Sequence, residues 1–184
     1  MGYDFTRGRQ DMSEHPFTTS FGLNDVRITT KVFATLPVSC LLSSVHECGH
    51  ALYELGIGSA LQFTSLGEGA STGVHECQAL FFENQVGRSL AWTRRIWDAL
   101  TAAVPELLES SPEEFYRAVN ALRRTTLRVE SDEAAYCLHI MLRFETERAL
   151  FSGELSARDA PAFWDELSAK YFDLRPKSLA GGIL

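Results

Sequence analysis

Pro37-Val38-Ser39-Cys40-Leu41-Leu42-Ser43-Ser44-Val45-His46-Glu47-Cys48-Gly49-His50-Ala51-Leu52-Tyr53-Glu54-Leu55-Gly56 is the stretch on which the reading of this chain turns. Proline suits the first turn of a helix, where its missing N–H costs nothing, and a glycine at the far end can close the last carbonyls in a left-handed conformation. Between them Val38, Leu41, Leu42, Val45 and Leu52 recur at the spacing of one helical face. A helix from near Pro37 to near Gly56 follows. On it His46-Glu47-Cys48-Gly49-His50 is the HExxH pattern. At about 100° per residue, His50 lies about 40° round the axis from His46 and Glu47 about 60° beyond His50, so all three project to one side. Two imidazoles placed this way can grip one zinc ion with the acid held beside it. With only 5 histidines in 184 residues, random order produces the pattern about 0.01 times, so chance, or two histidines merely satisfied by hydrogen bonds, is the weaker reading.

A catalytic zinc needs a third protein ligand and one open position. In the longer pattern HExxHxxGxxH, Gly and His would stand where this chain has Tyr53 and Gly56, which excludes that class. A second helix opens at Thr72-Gly73-Val74-His75-Glu76-Cys77-Gln78. Its Glu76 is the leading third ligand, because two His plus Glu is an established hydrolytic set, and adjacent His75 is the alternative. Glu83 falls within about 20° of Glu76 on that helix and either orients a ligand or is a solvated charge.

The rest of the composition bounds the answer. A chain of 184 residues, 45% hydrophobic, can bury a core without disulfide staples and reads as a single region. Its net charge of −7 leaves no basic field for a phosphate backbone, and no uninterrupted apolar run approaches a membrane span. Nucleic acid and membrane therefore drop out as partners. Cys40, Cys48, Cys77 and Cys137 form no CxxC pair, which favours reduced thiols and a cytoplasmic setting.

Residues 1 to 24 read as an extended lead-in. The β-branched run from Asp25 to Phe33 predicts a strand, and Ala60 to Leu66 a second, together a small sheet. Helices are expected over Val74–Val86, over Leu90–Leu108 with Pro105 kinking or ending it, over Pro112–Arg124 behind the Ser111-Pro112-Glu113-Glu114 capping box, over Ser131–Phe151 and over Pro161–Phe172. The fold class is mainly α with one minor sheet. On the Ser131–Phe151 helix, Asp132, Tyr136, His139 and Arg143 form one polar stripe on an otherwise apolar surface, which either satisfies a structural network or lines a cleft.

At these motifs the sequence resembles the thermostable carboxypeptidase family, cytosolic HExxH zinc metallocarboxypeptidases of the Taq and Pfu carboxypeptidase type. Asp25-Val26-Arg27-Ile28-Thr29 matches the family's DxRxT, His46 to His50 its HExxH, His75-Glu76-Cys77-Gln78 its HES/GQ, and Leu127-Arg128-Val129-Glu130-Ser131-Asp132 its IRxxAD. Gly2-Tyr3-Asp4-Phe5 and His15-Pro16-Phe17 also look like family text, so the resemblance spans essentially the whole chain. It implies a helical, gluzincin-like catalytic portion with a small sheet beside the active site. His46, His50 and Glu76 would be the metal ligands, Glu47 the general base, Zn²⁺ or Co²⁺ the metal, and a homodimer the assembly. Arg128 would hold the substrate's C-terminal carboxylate, and Arg27 would shape the closed end of the groove. Cys77, Leu127 and Ser131 are mild departures from the family's usual residues. The family's last motif, GxxQDxHW, would begin at Gly182-Ile183-Leu184, so the chain looks like a C-terminal catalytic part of a larger helical carboxypeptidase.

The expected reaction is zinc-dependent removal of single residues from peptide C-termini. A free carboxylate on the substrate calls for a cation, Arg128 first, with Arg27 or Arg143 in reserve and His139 on the same stripe. Two other readings stand beside it: an HExxH endopeptidase with no carboxylate clamp, and a metal-binding but catalytically incompetent fragment.

Overall fold

The computed structural model describes every residue except Ala34, Thr35, Val129, Glu130 and Leu184. Val129 and Glu130 of the IRxxAD-like run and Leu184 of the last motif thus lie outside the described residues. The chain, read from sequence as one region, divides into two compact units, Met1–Val119 and Asn120–Leu184.

In the first unit the lead-in supplies two strands that sequence reasoning did not see. Gln10–Met12 (β1) and Thr18–Ser20 (β2) flank Val26–Thr30 (β3), β1 parallel to it and β2 antiparallel. Gln10 is level with Ile28 on one side and Thr18 with Ile28 on the other. The Tyr3 hydroxyl donates to the Val26 carbonyl at 2.6 Å, tying the N-terminal residues to the sheet. Pro37–Leu55 (α1) packs on β3, where Val26 and Ile28 close against Ala51 with Tyr3 and Leu55 at the margin.

The expected strand over Ala60–Leu66 is absent. Ser59–Leu61 makes a short 3₁₀ turn instead, and Phe63 follows at φ 63°, a left-handed backbone that no strand contains. Gly56 also departs from expectation. It ends α1 at φ −83°, its N–H donating to the Leu52 and Tyr53 carbonyls, so the closure needs no left-handed residue.

Thr72–Leu80 (α2) starts on the Ser71 side chain, which accepts from the Val74 N–H, and runs into a π-helical segment, Phe81–Gly87. Leu90–Ala103 (α3) stops before Pro105, as expected, and a 3₁₀ turn spans Pro105–Glu109. Pro112–Val119 (α4) carries the capping box in full: Glu114 N–H donates to Ser111 Oγ at 3.2 Å, and Ser111 N–H to Glu114 Oε2 at 2.8 Å. It ends at Val119, short of Arg124.

The second unit pairs Glu133–Phe151 (α5) with Ala160–Phe172 (α6) around Leu142, Trp164, Leu167 and Phe172. Burying each of the two leucines and the phenylalanine stabilises this pairing by about 1.5–3 kcal/mol. The mainly helical class with a minor sheet is the observed one. All four cysteines are free thiols on helices. No helix among the described residues is long and apolar enough to cross a membrane.

Candidate metal centre

The close approach of α1 and α2 begins at a glycine. A Cβ on Gly49 would lie 2.7 Å from the Ala79 Cα and 3.1 Å from the Gln78 carbonyl oxygen, and Ala79 is itself fully buried. Only the missing side chain lets the two backbones meet. Gln78 fastens the crossing, its Nε2 donating to the Gly49 carbonyl at 3.1 Å.

The crossing carries Glu76 over the two histidines. Glu76 Oε2 lies 3.3 Å from His50 Nε2 and 3.7 Å from His46 Nε2, and one donor atom from each of the three falls within 4.8 Å of the others. Donors held about 2.1 Å from one ion at tetrahedral angles stand about 3.4 Å apart, so the observed separations suit a zinc-sized centre. Two neutral imidazoles and a carboxylate are also the right chemistry for it. His75, the alternative third ligand, turns away: its Nδ1 lies 2.6 Å from His50 Nδ1 and its Nε2 2.7 Å from Glu54 Oε1.

Each histidine of the pair has its outer nitrogen engaged. His46 Nδ1 lies 3.0 Å from Glu83 Oε2, and Arg88 Nη2 lies 3.6 Å from the other oxygen of that acid. Of the two readings left open for Glu83, orientation of a ligand is the one its position fits. Burial opposes charge on the His46 ring, but the hydrogen bond and charge of Glu83, with the charges of Glu76 and Glu47, outweigh it and raise its pKa.

Glu47 is only 6% exposed. Its Oε2 accepts a hydrogen bond of 2.7 Å from the Thr18 hydroxyl, so β2, invisible in the sequence, positions the acid of the HExxH motif. No local signal marked Thr18 or Glu54.

The comparisons with known proteins decide the family. The model of the carboxypeptidase Taq (M32) metallopeptidases matches residues 1–184. The chain belongs to this family. It is 40% identical over 185 residues to carboxypeptidase 1 of Bacillus subtilis, covering all of this chain and 37% of that protein. It is 41% identical over 179 residues to thermostable carboxypeptidase 1 of Pyrococcus furiosus, covering 97% of this chain and 36% of that one. The crystal structure of the M32 carboxypeptidase from Deinococcus radiodurans R1 superposes with a TM-score of 0.93 at 45% identity, over 98% of this chain and 37% of that chain. The chain thus spans little more than a third of the length of the M32 relatives it matches. The C-terminal placement expected from the motifs is not supported by these matches.

The four residues expected to meet an M32 substrate fare differently. Arg27 is exposed on β3, where its Nε and Nη2 each donate to Asp25 at 2.7 Å, so its charge is already matched. In the second unit Arg128 Nη1 donates to the Tyr136 hydroxyl at 2.8 Å, and Arg143 Nη1 to the His139 carbonyl at 3.2 Å. Burial, then the charge of Arg128, lowers the Arg143 pKa. His139 is 1% exposed and stacks on Phe172 at 4.2 Å between ring centres, so it is core packing rather than a groove surface. Asp132, the first member of the stripe, is the cap of α5, accepting from the Ala135 N–H at 2.9 Å.

Proposed function

We propose that this chain carries the zinc centre of a metallocarboxypeptidase that removes single residues from peptide C-termini, with His46, His50 and Glu76 as the ligands. One observation carries the reading: three donor atoms from two helices converge at metal-binding separations, and the outer nitrogen of each histidine is already engaged. When bound, zinc supplies a Lewis acid that polarises a carbonyl and brings the pKa of a bound water toward ~7. The chain's own residues do the rest. Glu47, aimed by Thr18, accepts a proton from the attacking water and returns it to the leaving amine. By the family resemblance Arg128 is the candidate cation for the substrate's terminal carboxylate, with Arg143 in reserve. His139 packs on Phe172 and its carbonyl accepts from Arg143, while Arg27, paired with Asp25 in the first unit, is the weaker candidate for a carboxylate because its charge is already matched. Four free thiols suit a reducing, cytoplasmic setting, and the family resemblance adds a homodimer.

The test is a peptide pair, one with a free and one with an amidated C-terminus, digested in zinc and read by mass spectrometry. Stepwise shortening of the free peptide alone supports the exopeptidase. Equal cleavage of both supports an endopeptidase, and stoichiometric zinc with no cleavage of either supports an incompetent metal-binding fragment.

A further inference from the structure

We propose that His75 is a positioning residue for His50, and that Glu54, acting through His75, selects which nitrogen of the His50 ring is free to bind the ion. The inference rests on the reading of His46, His50 and Glu76 as a metal site. Its basis is a row of three side chains: His50 Nδ1 lies 2.6 Å from His75 Nδ1, and His75 Nε2 lies 2.7 Å from Glu54 Oε1. His75 and Glu54 are largely shielded, with side chains 19% and 18% exposed.

Two imidazole nitrogens attract one another only if one carries a proton and the other a lone pair. A His50 that binds through Nε2 has its lone pair there committed, so the proton of the neutral ring sits on Nδ1 and must be donated. The acceptor in reach is His75 Nδ1. A neutral His75 with a bare Nδ1 carries its own proton on Nε2, where it donates to the Glu54 carboxylate. The reverse order fails at both ends. It would set a His75 lone pair against the Glu54 oxygen, and it would leave the His50 proton on Nε2, blocking the ion. A carboxylate accepts and cannot donate, so Glu54 sets the direction of the whole row.

The surroundings hold the row in place. The Tyr53 ring lies 4.6 Å from the His75 ring, and the Tyr53 hydroxyl accepts from the Ala70 N–H at 3.2 Å. A Cβ on Gly69 would come within 2.8 Å of His75 Cδ2, so the glycine turn presses its backbone on the ring. Adjacent residues of α2 therefore divide the work: Glu76 faces the centre and His75 steadies its far side. His46 meets its acid directly, whereas His50 meets Glu54 through an intervening neutral ring.

The experiment is zinc titration of the intact chain against a chromophoric chelator, for wild type, His75→Phe and His75→Asn. Phenylalanine keeps a flat ring on Tyr53 but removes the acceptor, and asparagine restores an acceptor near the Nδ1 position. The expected result is a loss of roughly 10–100-fold in zinc affinity for His75→Phe, substantially recovered in His75→Asn. Nitrogen-15 NMR of the zinc-loaded wild type, needed should His75→Phe not fold, is expected to show the proton of His50 on Nδ1 and that of His75 on Nε2. Wild-type affinity in folded His75→Phe, or a His75 proton on Nδ1, overturns the inference. Failure of the wild type itself to take up zinc overturns the metal site, and this inference with it.

Discussion

Around the Glu47 carboxylate, burial and one hydroxyl do the positioning, and both can be removed separately. Glu47→Gln is expected to keep zinc while losing at least about 100-fold in turnover, because the amide cannot take a proton. Zinc analysis beside a peptide assay checks it, and near-normal turnover removes Glu47 as the base. Thr18→Val removes the hydroxyl that lies 2.7 Å from Glu47 Oε2 and 3.0 Å from the Glu47 carbonyl oxygen, and the expected loss is roughly 10-fold in kcat with KM and zinc content little changed. A pH effect belongs to His46. Burial disfavours its charge, but Glu83, Glu76 and Glu47 raise its pKa above the ordinary value of about 6.5, so protons compete with metal from a higher pH than at a free imidazole. Zinc affinity therefore falls as pH drops through that raised value. Glu83→Gln leaves burial less opposed, so the onset of this fall moves to lower pH even as the affinity at high pH weakens. Chelator competition across pH measures both, and an unmoved onset removes Glu83 as the cause.

The crossing of α1 and α2 is held by the absence of one side chain. Gly49→Ala places a methyl group 2.7 Å from the Ala79 backbone, so the helices must part, at an expected cost of about 1–3 kcal/mol and with weakened zinc binding as Glu76 withdraws. Thermal unfolding with and without zinc reads the two effects, and an unchanged midpoint in both contradicts the packing argument. At the capping box, Ser111→Ala is expected to cost α4 about 1 kcal/mol with zinc affinity untouched, measured the same way. These elements also show what a sequence can and cannot carry. The α1 helix, its histidine face, the capping box and the break at Pro105 were legible because each rests on local chemistry within a few residues. The strands β1 and β2 were not, being only 3 residues each, too short for a period to register. Ala60–Leu66 misled for the opposite reason. Its apolar residues look like a strand, but Leu61, Phe63 and Leu66 are exposed, and strand preference is in large part the packing of a half-buried surface. Which of His75 and Glu76 faces the centre depends on how α2 crosses α1, a contact between distant residues that no local pattern records. Thr18 and Glu54 were missed on the same ground.

At the scale of the molecule, every residue of the candidate metal centre, from Thr18 to Arg88, belongs to the unit Met1–Val119. Zinc that binds the folded chain and not the unfolded one stabilises it by about 4 kcal/mol at 1,000 times its Kd. Hydrogen exchange is expected to show the added protection in α1 and α2, reversed by chelator; protection spread without regard to those helices counts against the site. The central claim is the identity of the donors, and two cysteines stand inside the motifs as rival ligands: Cys48 in the HExxH segment and Cys77 beside Glu76. X-ray absorption at the zinc edge of the loaded protein separates the possibilities, since Zn–N and Zn–O distances are about 2.0–2.2 Å and Zn–S about 2.3 Å. One zinc per chain bound by two imidazoles and oxygen donors, with no sulfur, is the result expected; a sulfur shell, or no stoichiometric zinc at all, would contradict the account.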